Sequence, residues 1–330
     1  MPASTSKPLP LRSRAEIYTQ LGALETAGLA PDKAFGLLRV GGAAQPRIEL
    51  ARKLLARGQD PALAGEKSRL FSKLEAALVR AALAAGSPAR TYRRLGEVYT
   101  ARAAQWAAMK SRMLLPGFML LVALMIGPLP ALVTGSIGPA AYVWQVLRPL
   151  LLIAALVKLG LELPHRLGDG GLREAVDTLL PRVPWFGPMH VRRNARDFFE
   201  SLALLLEAGV PMLQALPKAE EAVSNGVLRR QYEQLLPAVE HGAPLAQALA
   251  LVRARGDDRV LAFVQTGEAS GTLPEMLFRH VDIETDTINR FYAQVAAWMP
   301  RVVYGLVMLW MAAGLLTGPG VMPRLPPELR

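Results

Sequence analysis

The chain of 330 residues contains no cysteine. Disulfide bonds, thiol nucleophiles and cysteine-ligated metals are therefore excluded, and a soluble part without disulfides suits a reducing compartment. Aromatic residues make up only 6% of the chain, whereas hydrophobic residues make up 52%. Because that apolar mass is chiefly Leu, Ala and Val, the composition favours helices over a β-sandwich.

Recognisable catalytic sites are also missing. The four histidines, at positions 165, 190, 241 and 280, do not have the spacing of metal ligands. Residues 65–68 (Gly-Glu-Lys-Ser) resemble a phosphate loop only superficially, because the adjacent Gly-Lys pair after an earlier glycine is absent. The N-terminus shows no apolar core of a cleavable signal peptide. We therefore expect no enzyme activity, no cofactor and no metal.

The chain contains an internal repeat. Residues 18–38 are echoed at 199–219, and an Ala-Gly pair interrupts the apolar pattern of both segments. Three further landmarks recur in the same order, pairing Gly58 with Gly242, Gly86 with Gly271, and Pro116 with Pro300. The two copies therefore extend over most of the chain, and each leads into a strongly apolar segment.

Charge is distributed unevenly between the copies. Residues 1–112 hold 19 Lys and Arg against 8 Asp and Glu, whereas residues 164–300 hold 14 against 17. Two solvated surfaces that have diverged explain this difference, and so does a first copy that faces anionic lipid or an acidic partner. Nucleic acid is disfavoured as a partner because acidic residues interrupt the basic ones and no stacking-aromatic motif accompanies them.

Three apolar segments predict membrane spans, because each approaches the length of about 20 residues that a crossing helix needs. They cover residues 113–134, 141–163 and 300–318. Pro116 and Pro300 stand near the start of the first and third spans. Two further prolines near residue 130 indicate an exit or a kink at the end of the first.

The second predicted span carries charge. Arg148 and Lys158 lie near its two ends, where both could snorkel to the headgroups, and Lys158 could pair with Glu162 four residues later. Basic residues precede the first span, follow the second and precede the third. By the positive-inside rule, both copies face the cytoplasm.

These features predict eight segments along the chain. They are an N-terminal tail (1–14), a first cytoplasmic helical-bundle domain (15–112), a transmembrane helix (113–134), a short outer loop (135–140), a second transmembrane helix (141–163), a second cytoplasmic helical-bundle domain (164–299), a third transmembrane helix (300–318) and an outer tail (319–330).

Both soluble segments show apolar residues at helical spacing, punctuated by glycines, and no segment alternates as a strand does. This pattern predicts short antiparallel helical hairpins. The turn residues should supply left-handed backbone geometry or close backbone approach. They are Gly28, Gly58, Gly86, Gly209, Pro211, Gly242, Gly267 and Gly271.

One motif carries a resemblance to a known family. The segment Gly-Glu-Ala-Ser-Gly-Thr-Leu at 267–273 follows the pattern F-x-x-L-x-x-L-L-x-A-G-V-P at 199–211 and precedes a Pro-led apolar segment. This order resembles the type II secretion protein F family, the inner-membrane platform of type II secretion systems and type IV pili. The first copy is degenerate, since its counterpart at 82–87 keeps Gly86 but has no Glu. The short N-terminal extension is more similar to platforms of type IVb or conjugative pili.

The resemblance implies a scaffold rather than an enzyme. It implies an all-α protein of the bacterial inner membrane, with two cytoplasmic six-helix-bundle domains and three transmembrane helices. The implied partners are a hexameric assembly ATPase, pilins or pseudopilins, other inner-membrane assembly proteins and further copies of the chain. Such a platform would couple the ATPase to the extraction and polymerisation of pilins.

The motif itself leaves two roles open for Glu268. As a carboxylate near a helix start it would accept backbone N–H bonds, a cap that contributes about 0.5–2 kcal/mol. Alternatively it would contact the ATPase or another protomer, together with Gly267, Ser270, Gly271 and Leu273. A different class of function also stays open, a small membrane transporter that uses the charged second span.

Overall fold

The computed structural model describes residues 8–86, 88–135, 137–166, 171–251 and 258–317. Within these ranges every regular element is a helix, as the composition and periodicity predict. Of the predicted N-terminal tail at 1–14, residues 1–7 lie outside the described residues, and residues 11–14 belong to the first helix. The predicted outer tail at 319–330 lies wholly outside them.

The chain divides into two compact units. The first comprises Met1–Ala107 and Glu174–Asn289, and the second comprises Ala108–Arg173 and Arg290–Arg330. Both copies of the repeat therefore belong chiefly to the first unit, and the apolar segments belong to the second.

The first copy is a succession of short helices, several of which begin at proline. Proline suits the first turn of a helix because the N–H that it lacks has no intrahelical acceptor there. The helices are α1 (Leu11–Thr26), α2 (Pro31–Leu37), α3 (Gln45–Leu55), α4 (Pro61–Lys67), α5 (Lys73–Ala84) and the first part of α6 (Pro88–Ile126). Consecutive members from α1 to α5 pack on one another, as expected of antiparallel hairpins.

Residues of the predicted span at 113–134 fall on two helices, with a break near the end prolines, where the sequence indicates an exit or a kink. Helix α6 ends at Ile126, and a separate helix α7 (Leu129–Val133) follows. The break falls where Pro128 and Pro130 remove backbone donors and disfavour helical geometry in the preceding residues. Pro116, by contrast, lies inside α6.

The other two predicted spans fall on long helices. Residues 141–163 lie within α8 (Pro139–Arg166), and residues 300–317 form the end of a helix that starts at Leu273. Pro300 is therefore also an interior helix position. Across the described residues, no helix combines the length and the apolar character that crossing a membrane requires.

Helix α9 (Gly171–Leu179) precedes the second copy. The helices of the second copy are α10 (Phe186–Glu207), α11 (Met212–Glu220), α12 (Gly226–Tyr232), α13 (Leu235–Glu240), α14 (Leu245–Leu251), α15 (Asp258–Ser270) and the first part of α16 (Leu273–Thr317). Their order is that of the first copy, except that α12 and α13 together take the place of α3. Pro237 explains the split, because it would break a continuous helix but is tolerated in the first turn of α13.

Each copy has an aromatic centre in its core. In the first, the fully buried Tyr18 stacks on Phe71 and Tyr99 with ring centroids 5.5 and 5.7 Å apart. In the second, Phe198 stacks on Tyr232 at 4.1 Å. The rings come from different segments of one copy, including the connection between α4 and α5 that carries Phe71, so their burial holds the short hairpins together.

The two copies are joined by ion pairs between α6 and α10. Arg90 and Arg94 reach the Glu207 carboxylate at 3.3 and 3.6 Å, and Arg102 pairs with Glu200. Because Glu200 is almost fully buried, its charge requires the Arg102 partner. Part of the positive charge of the first copy therefore neutralises acidic residues of the second.

Helix ends in both copies use the same turn. Six of the predicted turn glycines have positive φ, between 70° and 87°: Gly28, Gly58, Gly86, Gly209, Gly242 and Gly271. At five of these the next residue donates its N–H to the carbonyl five residues earlier, as Leu29 does to Leu24 and Val210 to Leu205. This is the Schellman turn, which favours glycine because a Cβ is strained at positive φ.

Candidate functional site

Glu268 connects two helices. It lies in the last turn of α15, and its carboxylate accepts the backbone N–H of Leu245 at 2.6 Å and that of Ala246 at 3.0 Å. Those two groups are the first N–H donors of α14, which have no acceptor inside the helix. Glu268 is therefore a cap, but it caps the neighbouring helix rather than its own.

The glycines of the motif shape the turn between α15 and α16. Gly271 has φ +70°, and Thr272 N–H donates to the Gly267 carbonyl at 2.9 Å. A Cβ built on Gly267 would lie 2.7 Å from the Leu273 Cα, so the first turn of α16 approaches too closely for any side chain. The five motif residues singled out from the sequence thus belong to one three-helix junction.

Ser270 occupies the exposed side of this junction. Its hydroxyl donates to the Thr266 carbonyl at 2.7 Å and lies 2.6 Å from the Thr272 hydroxyl. Ala269 beside it is also exposed. The outer surface of the motif is therefore built of small side chains, and Glu268 points inward toward α14.

The first copy caps the equivalent helix differently. Asp60 stands directly before α4 and accepts the Leu63 N–H at 3.1 Å, which makes it an ordinary N-cap. The corresponding position before α14 is Pro244, which has no side-chain acceptor. Leu83, the counterpart of Glu268, packs against the apolar core instead. The loss of Glu in the first copy therefore coincides with an alternative cap.

Gly209 and Pro211 lie at a second place of interest, a groove of about 450 Å³ between the copies. One side is the outer face of α5, and the other is the turn from α10 to α11. The groove and the Glu268 junction are separate sites. The groove is lined by α5 and the α10–α11 turn, whereas the junction is formed by α14, α15 and α16.

Several buried polar groups were not found from the sequence. Asn194 accepts N–H bonds from Ser224 and Asn225 at 2.9 and 3.1 Å, which ties α10 to the start of α12. The Glu75 carboxylate forms an ion pair with the Arg14 guanidinium at 3.3 Å, and it also forms a capping box with Ser72 at the start of α5. Only the capping box has a sequence signal, namely Ser followed three residues later by Glu.

Among the groups of the first unit with shifted pKa values, Arg102 and Glu220 illustrate two different causes. Burial by itself would lower the pKa of Arg102, but the adjacent Glu200 carboxylate outweighs it, so the pKa is raised. Burial raises the pKa of Glu220 to about 7, and the nearby Glu233 adds to the effect. Within the described ranges no cluster of three His, Asp or Glu side chains could hold a metal ion.

Comparison with known proteins gives two matches to one family model within this chain. The model for type II secretion system (T2SS) protein F matches residues 17–134 and again residues 198–318. Together these stretches cover well over half of the chain. The chain belongs to the type II secretion system protein F family.

Curated members of the protein F family are similar to the chain at low identity. The type II secretion system protein F of Xanthomonas campestris pv. campestris is 26% identical over 326 residues, which cover 90% of this chain and 78% of that protein. The protein of the same name from Pseudomonas aeruginosa is 29% identical over 157 residues, 46% of this chain and 38% of that protein. The type IV pilus assembly protein PilC of Thermus thermophilus is 26% identical over 175 residues, 53% of this chain and 42% of that protein.

Proposed function

We propose that this chain is an inner-membrane platform protein of a type IV pilus or of a type II secretion machine. It couples a cytoplasmic assembly ATPase to the extraction and polymerisation of pilins or pseudopilins. The observation that carries the proposal is the double match to the protein F family, which coincides with the two copies of the helical unit.

Exposed apolar side chains support a membrane location for the second unit. Phe118, Val133, Val143 and Leu152 are each more than half exposed, as is Met308 on α16. Exposed apolar surface on this scale needs a cover. In the proposal that cover is lipid, and the predicted spans at 113–134, 141–163 and 300–318 cross the inner membrane.

The first unit supports the proposed coupling role. Its two copies are held together by the ion pairs between α6 and α10, among which the pair of Arg102 with Glu200 is largely buried. Helices α6 and α16 each begin in the first unit and end in the second. A movement imposed on the first unit by an ATPase would therefore act on continuous helices rather than on flexible linkers.

The unequal charge of the copies suggests what each one meets. We propose that the basic first copy contacts anionic lipid headgroups or an acidic ATPase surface, beyond the arginines already paired with the second copy. Other copies of the chain, pilins or pseudopilins and further inner-membrane assembly proteins complete the proposed set of partners. Binding to anionic vesicles that does not weaken with salt would contradict the lipid contact.

The absence of native cysteine makes the proposed topology directly testable. Single cysteines replace Gly138 in the predicted outer loop, Lys53 in the first copy and Gln234 in the second. A thiol reagent that does not cross membranes should label Gly138→Cys in intact cells, and the other two only after the membrane is opened. Equal labelling of all three before opening would contradict three spans with both copies in the cytoplasm.

Function is tested separately from topology. Deleting the gene should abolish surface pili or secretion, and the wild-type chain should restore them. The chain purified from membranes should retain an ATPase that carries its own phosphate loop. If deletion leaves pili and secretion intact and vesicles show solute flux that needs Lys158, the transporter alternative is favoured instead.

A further inference from the structure

The groove between the copies is an interface within one chain. Its α5 side is lined by small residues and one arginine, and its α10–α11 side by the turn after Gly209. The lining residues are Ala77, Arg80, Ala81, Ala84 and Ala85 on the first side, and Gly209, Val210, Pro211, Gln214 and Lys218 on the second.

Because the chain is duplicated, each side of this interface has an equivalent elsewhere in the molecule. Aligning Gly86 with Gly271 carries the α5 side onto α15, and aligning Gly28 with Gly209 carries the other side onto the turn between α1 and α2. The equivalents are Ala262, Gln265, Thr266, Ala269 and Ser270 on α15, and Gly28, Leu29, Ala30, Lys33 and Leu37 around the turn.

Both equivalent surfaces are open. All five of the α15 residues are exposed, and so are four of the five at the turn. Leu37 is 49% exposed, so a large apolar side chain forms part of the open turn surface. The exposed face of α15 has alanine, threonine and serine where α5 has alanine, and Gln265 where α5 has Arg80, so both faces consist chiefly of small side chains.

Charge favours pairing between these open surfaces. In the internal groove Arg80 and Lys218 are both cationic, whereas their equivalents are the neutral Gln265 and Leu37. Lys33 stands in the place of the neutral Gln214, so the two open surfaces carry one cation between them where the internal groove carries two. Beside the α15 face, α16 exposes Glu275 in the place that the basic Arg90 occupies on α6. Residues 1–112 carry a formal charge of +11 and residues 164–300 carry −3, so the surfaces attract at long range.

We propose that the α15 face of one molecule docks on the α1–α2 turn of a second molecule of this protein. The docking repeats between two molecules the contact that α5 makes with the α10–α11 turn inside one molecule. Such a contact is heterologous, since its two surfaces differ. It generates a closed ring, in which every surface is used, or an open array with one free surface at each end. The proposal rests on the self-association included in the proposed function and names the surfaces through which it occurs.

Cross-linking of the full chain in membranes tests the docking. One tagged copy carries Ala269→Cys and a second, differently tagged copy carries Lys33→Cys. A short bis-maleimide should join the two when they are expressed together, and neither variant should cross-link to itself. As a geometric reference, Ala84→Cys with Gln214→Cys in one chain should cross-link internally, because those residues line the existing groove.

A second variant tests the contribution of the surface. Ala269→Arg should abolish the cross-link between Lys33→Cys and a cysteine at Ser270, and lower the oligomer mass seen by light scattering. Gln234→Arg, at an exposed position directly before α13 and outside the proposed surface, should change neither. Both positions are exposed, so thermal unfolding should be the same for both variants.

The outcomes separate this inference from the proposed function. An oligomer that persists without the mixed cross-link, or with Ala269→Arg, overturns the docking surface but leaves self-association intact. A chain that is monomeric in mild detergent overturns both. Self-cross-linking of Ala269→Cys alone shows a symmetric contact and likewise overturns the head-to-tail arrangement.

Discussion

The role of Glu268 can be decided by removing its carboxylate and then supplying the same cap from another position. Glu268→Ala leaves the N–H groups of Leu245 and Ala246 without their acceptors. Loss of a side-chain cap costs about 0.5–2 kcal/mol, and Glu268 is only half-buried, so water recovers part of the loss. We therefore expect a decrease in stability of about 1 kcal/mol.

Local exchange measures this loss where it arises. The amide hydrogens of Leu245 and Ala246 should exchange with deuterium about fivefold faster in Glu268→Ala, since 1.4 kcal/mol corresponds to a factor of ten. Amides in α4 serve as the internal control, because Asp60 caps that helix independently. Unchanged exchange at the start of α14 would refute the assignment of Glu268 as its cap.

A compensating substitution separates capping from partner contact. Pro244→Asp places an N-cap directly before α14, in the position that Asp60 occupies before α4. If Glu268 acts only as a cap, the double variant Glu268→Ala with Pro244→Asp should regain both stability and pilus assembly or secretion. Recovery of stability without recovery of assembly would show that the carboxylate also meets a partner.

Two other predictions concern the first unit. Arg102→Ala should lower the free energy of unfolding by about 1–3 kcal/mol, because it leaves the buried Glu200 carboxylate without its cation. Adding Glu200→Ala should recover part of that loss in urea unfolding, and simply additive losses would contradict the pairing. Glu220 should make the protein less stable as pH rises from about 4.5 to 7, since its pKa is raised from 4.5 to about 7 in the folded chain. Glu220→Gln should remove that dependence, and equal urea midpoint shifts between pH 5 and pH 8 in both proteins would argue against it.

The turns were predictable because their cause is local. A glycine after an apolar helical run can adopt positive φ, and the carbonyl groups that it satisfies belong to the same helix. The turns at Gly86 and Gly271 can therefore be predicted from the few residues around each glycine. The end of α6 at Ile126 has an equally local cause in Pro128 and Pro130, which mark an exit or a kink in the sequence.

The cap and the ion pairs were not predictable, because their partners are distant in sequence. Glu268 reaches a helix that begins 23 residues earlier, and Arg102 pairs with a residue 98 positions away. Neither partner could be chosen before the helices were packed. A weaker signal was available in Pro244, since a helix that follows proline at its cap position needs an acceptor from elsewhere.

The divergence of the two copies therefore has two separate physical origins. Asp60 makes a distant carboxylate unnecessary in the first copy, and there Leu83 packs into the core, so the missing Glu does not by itself indicate a lost partner site. The outer faces diverged under a different constraint. The α5 face packs against the second repeat copy within the same molecule, whereas the α15 face is exposed, although both faces consist chiefly of small side chains. A duplicated unit that uses one of its two equivalent contacts internally keeps the other available, and this makes the exposed side of the motif, rather than Glu268, the surface where a second molecule should be sought.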